Sequence, residues 1–328
     1  MKAIVQNRFG GPEVLEFTTV DTPVADDDEV LVQVCASSVN AYDWHFLRGD
    51  PYLARLMMGG LRRPPTKIRG RDFAGRVVAT GRNVTRFKPG DEVFGDNFHR
   101  SGAFAEYVSA PAGQVAHKPA GLTFEQAAAV PLAANTALMG LRDVADVQAG
   151  QRVLVNGASG GVGTFAVQLA KAYGASVTAV CSTRNVDLVR GLGADHVVDY
   201  TREDFTRTGQ RYDVVFDLVA NRSLADLRRA LTPDGTLVLS GGGTSGGGSL
   251  VGPMGLVMKA NLLARFVRQR LVVLSEVPSG ENLLALRELI ESGKLTPVID
   301  RTYPLSETAA AIRYVEVEHA RAKVVITV

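Results

Sequence analysis

The chain has 328 residues, 46% of them hydrophobic and 21% charged, with a formal net charge of +2. At roughly 100–200 residues per domain, this length points to two domains with sizeable cores. So even a charge balance argues against a nucleic-acid partner; two cysteines exclude a disulfide framework and fit a reducing compartment; and no run approaches the ~18 apolar residues of a membrane span.

Residues 1–120 read as β-rich. Short β-branched or alternating runs lie at 3–6, 14–19, 29–36 and 76–80, and Gly10-Gly11-Pro12, Pro89-Gly90-Asp91 and Ser101-Gly102 supply turns. This spacing predicts a compact antiparallel barrel. The opening Met1-Lys2-Ala3-Ile4-Val5 is too short in apolar length for a signal peptide, so a cytoplasmic protein is expected. The polar and aromatic stretch 37–49 breaks the strand pattern and reads as partly helical. Arg62, Arg63, Lys67, Arg69 and Arg71 form a basic patch interrupted by Pro64 and Pro65, which reads as a solvated loop.

From Thr123 the texture changes. Residues 127–130 and 133–141 read as helices interrupted near Pro131. Strand patterns at 152–155, 176–180, 196–198, 213–217, 236–239 and 271–274 then alternate with helices beginning near Gly161, Asn185, Ser223, Gly255 and Glu281. Alternation of this kind predicts a parallel sheet covered on both faces, and six strands match the dinucleotide-binding layout. After a helix at 281–292 the chain ends in the apolar segment 323–328, expected to return to the first sheet. The expected domains are therefore 1–121 plus 277–328, with 122–276 inserted as the dinucleotide-binding domain. The low-complexity run 241–249 is either a flexible loop or one that closes over a ligand.

The strongest local signal is Val153-Leu154-Val155-Asn156-Gly157-Ala158-Ser159-Gly160-Gly161-Val162-Gly163, an apolar strand running into a glycine turn and a helix. Backbone N–H groups and the positive end of a helix dipole converge at such a turn, and missing Cβ atoms let a phosphate approach. Ser159, Gly160, Gly161 and Val162 are the expected cradle. At the end of the next strand an NAD site usually places an acidic residue. Here that end reads Cys181-Ser182-Thr183-Arg184-Asn185, with hydroxyls on Ser182 and Thr183 and a guanidinium on Arg184. A 2′-phosphate would be attracted, which selects NADPH; Tyr200 could add a hydroxyl to the same pocket. Ser182 and Asn185 also suit a helix cap, and both roles are compatible.

Metal ligation needs clustered Cys, His and acidic residues. His45, His99, His117, His196 and His319 are scattered and distant in sequence from Cys35 and Cys181, so no metal is expected.

Several segments together resemble the medium-chain dehydrogenase/reductase superfamily, and within it the zinc-independent quinone oxidoreductase-like branch. They are Ser37-Ser38-Val39-Asn40 with Asp43, Gly70-Arg71-Asp72-Phe73-Ala74-Gly75, Lys88-Pro89-Gly90-Asp91-Glu92-Val93, Gly102-Ala103-Phe104-Ala105-Glu106-Tyr107, Val130-Pro131-Leu132, the glycine turn, and Ala322-Lys323-Val324-Val325-Ile326. The resemblance implies an α/β fold: a GroES-like β-barrel domain with an inserted Rossmann domain. Zinc-dependent relatives carry Gly-His-Glu where this chain has Gly70-Arg71-Asp72, and a cysteine near Ser38 to Asn40. The implied reaction is therefore metal-free hydride transfer from NADPH to a quinone or an α,β-unsaturated ketone. Asn40 resembles the family asparagine facing nicotinamide and substrate. Asp43 resembles a second family position, where it either caps the local helix or pairs with an arginine. Tyr42, His45 and Tyr52 are candidate proton donors; Tyr52 matches the family tyrosine only with a spacing shift. Thr136 resembles the threonine near the nicotinamide carboxamide. Gly241 and Gly242 lie where the fifth strand ends, beside the nicotinamide ribose. Alternatives are an enoyl-thioester reductase and a low-turnover NADPH-binding sensor or scaffold. The apolar edge strand Leu271-Val272-Val273-Leu274, with the resemblance, implies a homodimer.

Overall fold

A computed structural model describes residues 1–49, 64, 66–98, 100–241, 254–275, 277–318 and 320–328. Tyr52, Gly242, Arg62, Arg63, Pro65, His99, His319 and most of the 241–249 run lie outside the described residues.

The chain opens with β1 (Lys2–Gln6), β2 (Leu15–Thr19), β3 (Glu29–Val39), α1 (Ala41–Arg48), β4 (Asp72–Thr80), β5 (Glu92–Asp96), β6 (Tyr107–Pro111) and β7 (Val115–His117). Two helices follow, α2 (Phe124–Ala128) and α3 (Pro131–Leu138). They start earlier than the apolar pattern suggests. Thr123 and Gln126 exchange capping hydrogen bonds at 3.2 and 3.0 Å, which sets the start of α2. Pro131 opens α3 instead of interrupting a helix, because the first helical residue needs no amide donor. A wider π-type turn, Met139–Val144, completes the run.

The alternating part then gives β8 (Arg152–Asn156), α4 (Gly161–Ala172), β9 (Ser176–Cys181), α5 (Val186–Gly191), β10 (His196–Asp199), β11 (Tyr212–Asp217), α6 (Leu224–Arg229), β12 (Leu231–Leu239), α7 (Met254–Leu263) and β13 (Arg270–Val273). The last elements are α8 (Gly280–Glu291), β14 (Ile299–Pro304), α9 (Thr308–Val317) and β15 (Lys323–Thr327).

These elements form two units. One holds β1–β7, α1, α2, α8, β14, α9 and β15; the other holds β8–β13 with α4–α7. The first is built on a sheet of order β14-β15-β3-β4-β5-β7, with β6 also paired to β3, beside the hairpin β1-β2. β3 is long enough to pair with β6 over its first half and with β15 over its last four residues. The C-terminal strand thus returns to the N-terminal sheet. Its register puts Val324 opposite Val39, while β4 on the other side puts Asp72 opposite Ser38. The apolar faces close over cores that include Val30, Val32, Phe73 and Val93, and Ile4, Trp44, Leu47, Ile312 and Ile326.

In the second unit every strand pair is parallel, in the order β10-β9-β8-β11-β12-β13. Buried runs such as Val153-Leu154-Val155 and Val214-Val215-Phe216 are apolar throughout because helices cover both faces. Strand order reverses between β8 and β11, the switch point where sheets of this kind bind ligands beyond the strand carboxyl ends.

Candidate functional site

In the first unit the strand register assembles a buried polar cluster. Asn40 follows β3 directly and is the N-cap of α1. Asp43 answers it within the first turn: its carboxylate accepts the Asn40 backbone N–H at 2.8 Å. Of the two roles open for Asp43, the structure shows the helix cap. The Asn40 side chain reaches across the sheet. Its Nδ2 donates to Asp72 Oδ2 at 2.9 Å, and its Oδ1 accepts from Lys323 Nζ at 2.5 Å. Asp72 Oδ2 also accepts from Ser38 Oγ at 2.7 Å and from Lys323 Nζ at 3.3 Å. Asp72 Oδ1 accepts the Leu132 backbone N–H at 2.9 Å, placing the carboxylate at the positive end of α3. Ser38, Asp72, Asp43 and Lys323 are all fully or almost fully buried, and Asn40 keeps 6% of its surface exposed. Burial, with the neighbouring Asp72 charge, pushes the Asp43 carboxyl up to about 6, against the pull of the Asn40 N–H and the Lys323 and Arg71 charges.

The neighbouring arginines are not the solvated patch that composition suggests. Arg69 and Arg71 are each 2% exposed. Arg71 Nε and Nη2 donate to the two oxygens of Asp96 at 2.8 and 2.5 Å. The guanidinium carbon lies 4.7 Å from the Tyr42 ring centre and 4.4 Å from that of Phe98. Arg69 donates from Nε to Gln6 Oε1 at 2.5 Å and from Nη1 to Thr66 Oγ1 at 3.3 Å. A charged run lying between strands is buried here because Asp96 and Gln6, far away in sequence, supply partners. Tyr42 stacks on Phe46, and desolvation pushes its hydroxyl up to about 12, making it a poor acid. His45 stacks on Trp44.

In the second unit the site is made from backbone. Gly157 leaves β8 with φ +88°, and the Gly157 and Ala158 N–H groups donate to Val180 O at 3.2 and 3.0 Å. α4 begins at Gly161 with Gly160 as its N-cap, so the Gly161 and Val162 amides have no acceptor within the helix. A Cβ at Gly163 would lie 2.2 Å from Gly157 O, so only glycine lets the helix close onto the turn. Asn185, 4% exposed, donates from Nδ2 to Ser159 Oγ at 3.0 Å and to Ser182 Oγ at 3.2 Å. Its Oδ1 has no hydrogen-bond partner. Asn185 thereby ties the glycine turn to the end of β9, whereas the side-chain cap expected of Ser182 and Asn185 does not form: both stand at N-cap positions without a side-chain cap hydrogen bond.

The β9–β10 register sets Asp199 opposite Cys181, and the Tyr200 N–H donates to Cys181 O at 3.0 Å. This brings Ser182, Thr183, Arg184 and Tyr200 together at one corner. Arg184 and Tyr200 are exposed there. The corner also holds a carboxylate that reading along β9 misses, because it arrives from β10. Asp199 accepts from the Thr183 hydroxyl at 2.5 Å and from the Thr201 hydroxyl and backbone at 2.8 and 3.0 Å. These bonds hold its carboxyl below the usual carboxylate range.

At the switch point Asn156 Nδ2 donates to Asp217 Oδ1 at 2.8 Å, and the Val219 and Ala220 N–H groups donate to the same oxygen at 3.2 Å each. A Cβ on Gly241 would lie 2.4 Å from Leu218 O, so the end of β12 packs directly on this turn. Thr136, in α3, is 5% exposed. The glycine turn, its first-turn amides with no acceptor inside the helix, and the exposed Arg184 guanidinium at the Ser182 to Arg184 corner fit a phosphorylated dinucleotide.

Two family models match the chain, one described as an alcohol dehydrogenase GroES-like domain over residues 26–120 and one as a zinc-binding dehydrogenase over residues 192–326. Among curated relatives, the human protein named NAD(P)H oxidoreductase RTN4IP1, mitochondrial is 35% identical over 365 residues, covering 100% of this chain and 89% of its own length. The Arabidopsis thaliana NADPH-dependent alkenal/one oxidoreductase, chloroplastic is 35% identical over 338 residues, covering 99% and 79%. Among solved structures, the quinone oxidoreductase from Coxiella burnetii superposes with a TM-score of 0.86 at 30% identity, covering 100% of this chain and 99% of that one. The Escherichia coli quinone oxidoreductase complexed with NADPH superposes with a TM-score of 0.84 at 25% identity over 100% of both chains.

One of the matched descriptions names zinc, and the described residues at the corresponding positions do not fit it. Arg71 is a cation locked to Asp96, and Asp72 is occupied by Ser38, Asn40, Leu132 and Lys323. Among the described residues, no group of three or more His, Cys, Asp or Glu side chains could hold a metal ion.

Proposed function

The chain belongs to the medium-chain dehydrogenase/reductase superfamily, in its quinone oxidoreductase-like branch, and on that premise we propose that it reduces quinones or α,β-unsaturated ketones with NADPH, by direct hydride transfer and without a metal. The observation that carries this reading is Asn40: a nearly buried amide, held at both ends, beside a lysine and an arginine already paired with carboxylates.

Bound NADPH would supply the hydride. Ser159, Gly160, Gly161 and Val162 would hold its pyrophosphate through backbone amides and the α4 dipole, and Ser182, Arg184 and Tyr200 would hold the 2′-phosphate, joined by Thr183 once its hydroxyl turns from Asp199. Thr136, Gly241 and Gly242 would line the nicotinamide end. A conjugated acceptor takes the hydride at carbon and moves its electron pair onto oxygen. Asn40 donates a hydrogen bond to that developing oxyanion, and the product takes its proton from water. Asp43 holds Asn40 at the helix start. A metal is unnecessary because the acceptor is already activated by conjugation. Tyr52 remains the candidate for an additional proton donor.

The test is to follow loss of nicotinamide absorbance with 1,2-naphthoquinone, an alkyl enone and a crotonyl thioester, before and after exhaustive chelation. Turnover of the quinone or enone that survives chelation is expected. Turnover of the thioester alone would move the assignment to an enoyl-thioester reductase, and NADPH binding with no turnover would make the protein a sensor.

We also propose a homodimer through the β13 edge. Among the described residues β13 pairs only with β12, and Met258, Leu262 and Phe266, spaced four residues apart beside it, are 65%, 68% and 78% exposed. Phe266→Glu should convert a dimer to a monomer in sedimentation, and a monomeric parent protein would rule the interface out. No helix among the described residues is long and apolar enough to cross a membrane, and both cysteines are free, in keeping with a cytoplasmic enzyme.

A further inference from the structure

Lys323 is 2% exposed, and all three of its ammonium protons have acceptors: Asn40 Oδ1 at 2.5 Å, Asp72 Oδ2 at 3.3 Å and Val39 O at 3.4 Å. It has none left to give a ligand. Its effect falls on the Asn40 amide. An asparagine side chain can turn over, exchanging its carbonyl for its NH2 in nearly the same space. Here the two ends meet partners of opposite character. The carbonyl faces an ammonium, and the NH2 faces a carboxylate. Turning the amide over would set NH2 against the ammonium and C=O against the carboxylate, two repulsions in a buried site.

Building on the role given above to Asn40, we propose that Lys323 is a positioning residue: with Asp72 it locks the Asn40 amide in one orientation, so that the group offered to substrate is always its second N–H and never its carbonyl. Only the donor form stabilises an oxyanion, and the turned form would repel it. Selection of an acceptor whose oxygen gathers negative charge is thus set by a lysine that does not touch that acceptor. The fold supplies the lock by register alone. β15, β3 and β4 lie side by side, so residues from both ends of the chain meet at Asn40.

The test compares the parent protein with Asn40→Ala, Lys323→Met and the pair combined, using NADPH and an alkyl enone. Lys323→Met should lower kcat about tenfold or more while leaving the KM for NADPH within about twofold, and should cost nothing further when added to Asn40→Ala. Independent of turnover, the 15N side-chain amide signal deleted by Asn40→Ala should shift and broaden in Lys323→Met and stay in place in Lys171→Met, which breaks a remote lysine–aspartate pair. If Lys323→Met fails to fold, Asp72→Asn with Lys323→Met removes both charges together; it should fold and still show the lowered kcat. Full kcat in either Lys323 variant alongside an impaired Asn40→Ala overturns the lock and leaves the oxyanion role of Asn40 standing. Independent, multiplying losses in the combined variant also overturn the lock. Full kcat in Asn40→Ala overturns the oxyanion role and the lock with it.

Discussion

The two units build their sites from opposite materials. In the second, the glycine turn is backbone: amides without acceptors, a helix start, and positions where an added Cβ would collide. In the first, the cluster at Asn40 is side chain: two carboxylates, an ammonium, an amide and a hydroxyl that satisfy one another out of water. A site of the first material is broken by adding an atom, and a site of the second by removing a charge. The first can be swapped between chains as a local motif. The second exists only when distant strands pair in register.

The largest effect expected from that contrast lies in the side-chain unit. Arg71→Met would leave the buried Asp96 carboxylate without its cation and should cost roughly 3–5 kcal/mol in denaturant unfolding. A loss below about 1 kcal/mol would mean that the pair is not buried as described. In the backbone unit, Gly163→Val should abolish tight NADPH binding, weakening it by about 100-fold or more, roughly 3 kcal/mol. The first unit should be spared, which calorimetry can read as a separate transition. Unchanged affinity would show that the helix does not need to close on Gly157.

The Asp43 carboxyl sharpens the comparison through pH. Its folded value, about 6, lies above the ordinary carboxylate value, so the folded chain binds a proton more tightly than the unfolded one. Stability from this group is therefore full at low pH and falls as pH rises from about 4 to about 6. Asp43→Asn keeps an acceptor for the Asn40 N–H and cannot ionise. Relative to the parent it should gain stability across that window, by at most about 3 kcal/mol. A pH-independent difference would show that Asp43 is not held in this way. The smallest effect belongs to the exposed corner of the second unit. Arg184→Glu should weaken NADPH about tenfold, roughly 1.4 kcal/mol, and leave NADH nearly unchanged. Equal losses would remove Arg184 from 2′-phosphate recognition.

The two materials also differ in how far sequence reveals them. The glycine turn was legible because its parts are contiguous: an apolar strand, Gly157 to Gly163, then a helical period. The six parallel strands followed from the same alternation. The cluster at Asn40 was legible only in pieces. Ser38, Asp72 and Lys323 stood in segments that carried the family resemblance, yet nothing in the sequence sets Val324 opposite Val39 and Ser38 opposite Asp72. The same polar residues hid the ends of two strands. β3 runs on to Val39 and β4 begins at Asp72, beyond the apolar alternation, because Ser37 Oγ donates to Asp72 O and Ser38 Oγ to the Asp72 carboxylate. Arg69 and Arg71 looked solvated for a related reason: polarity is read residue by residue, whereas burial depends on a partner such as Asp96. Asp199 escaped a reading along β9 because a neighbouring strand brings it to the corner.

The central claim, direct hydride delivery from NADPH to the carbon of a conjugated acceptor, has a direct test. NADPH deuterated at the transferring position is turned over with an alkyl enone, and the product is examined by mass spectrometry and NMR. The account predicts one deuterium on the β-carbon and a solvent-derived proton on the α-carbon. Deuterium lost to water, or found on the carbinol carbon of a reduced carbonyl, would contradict it.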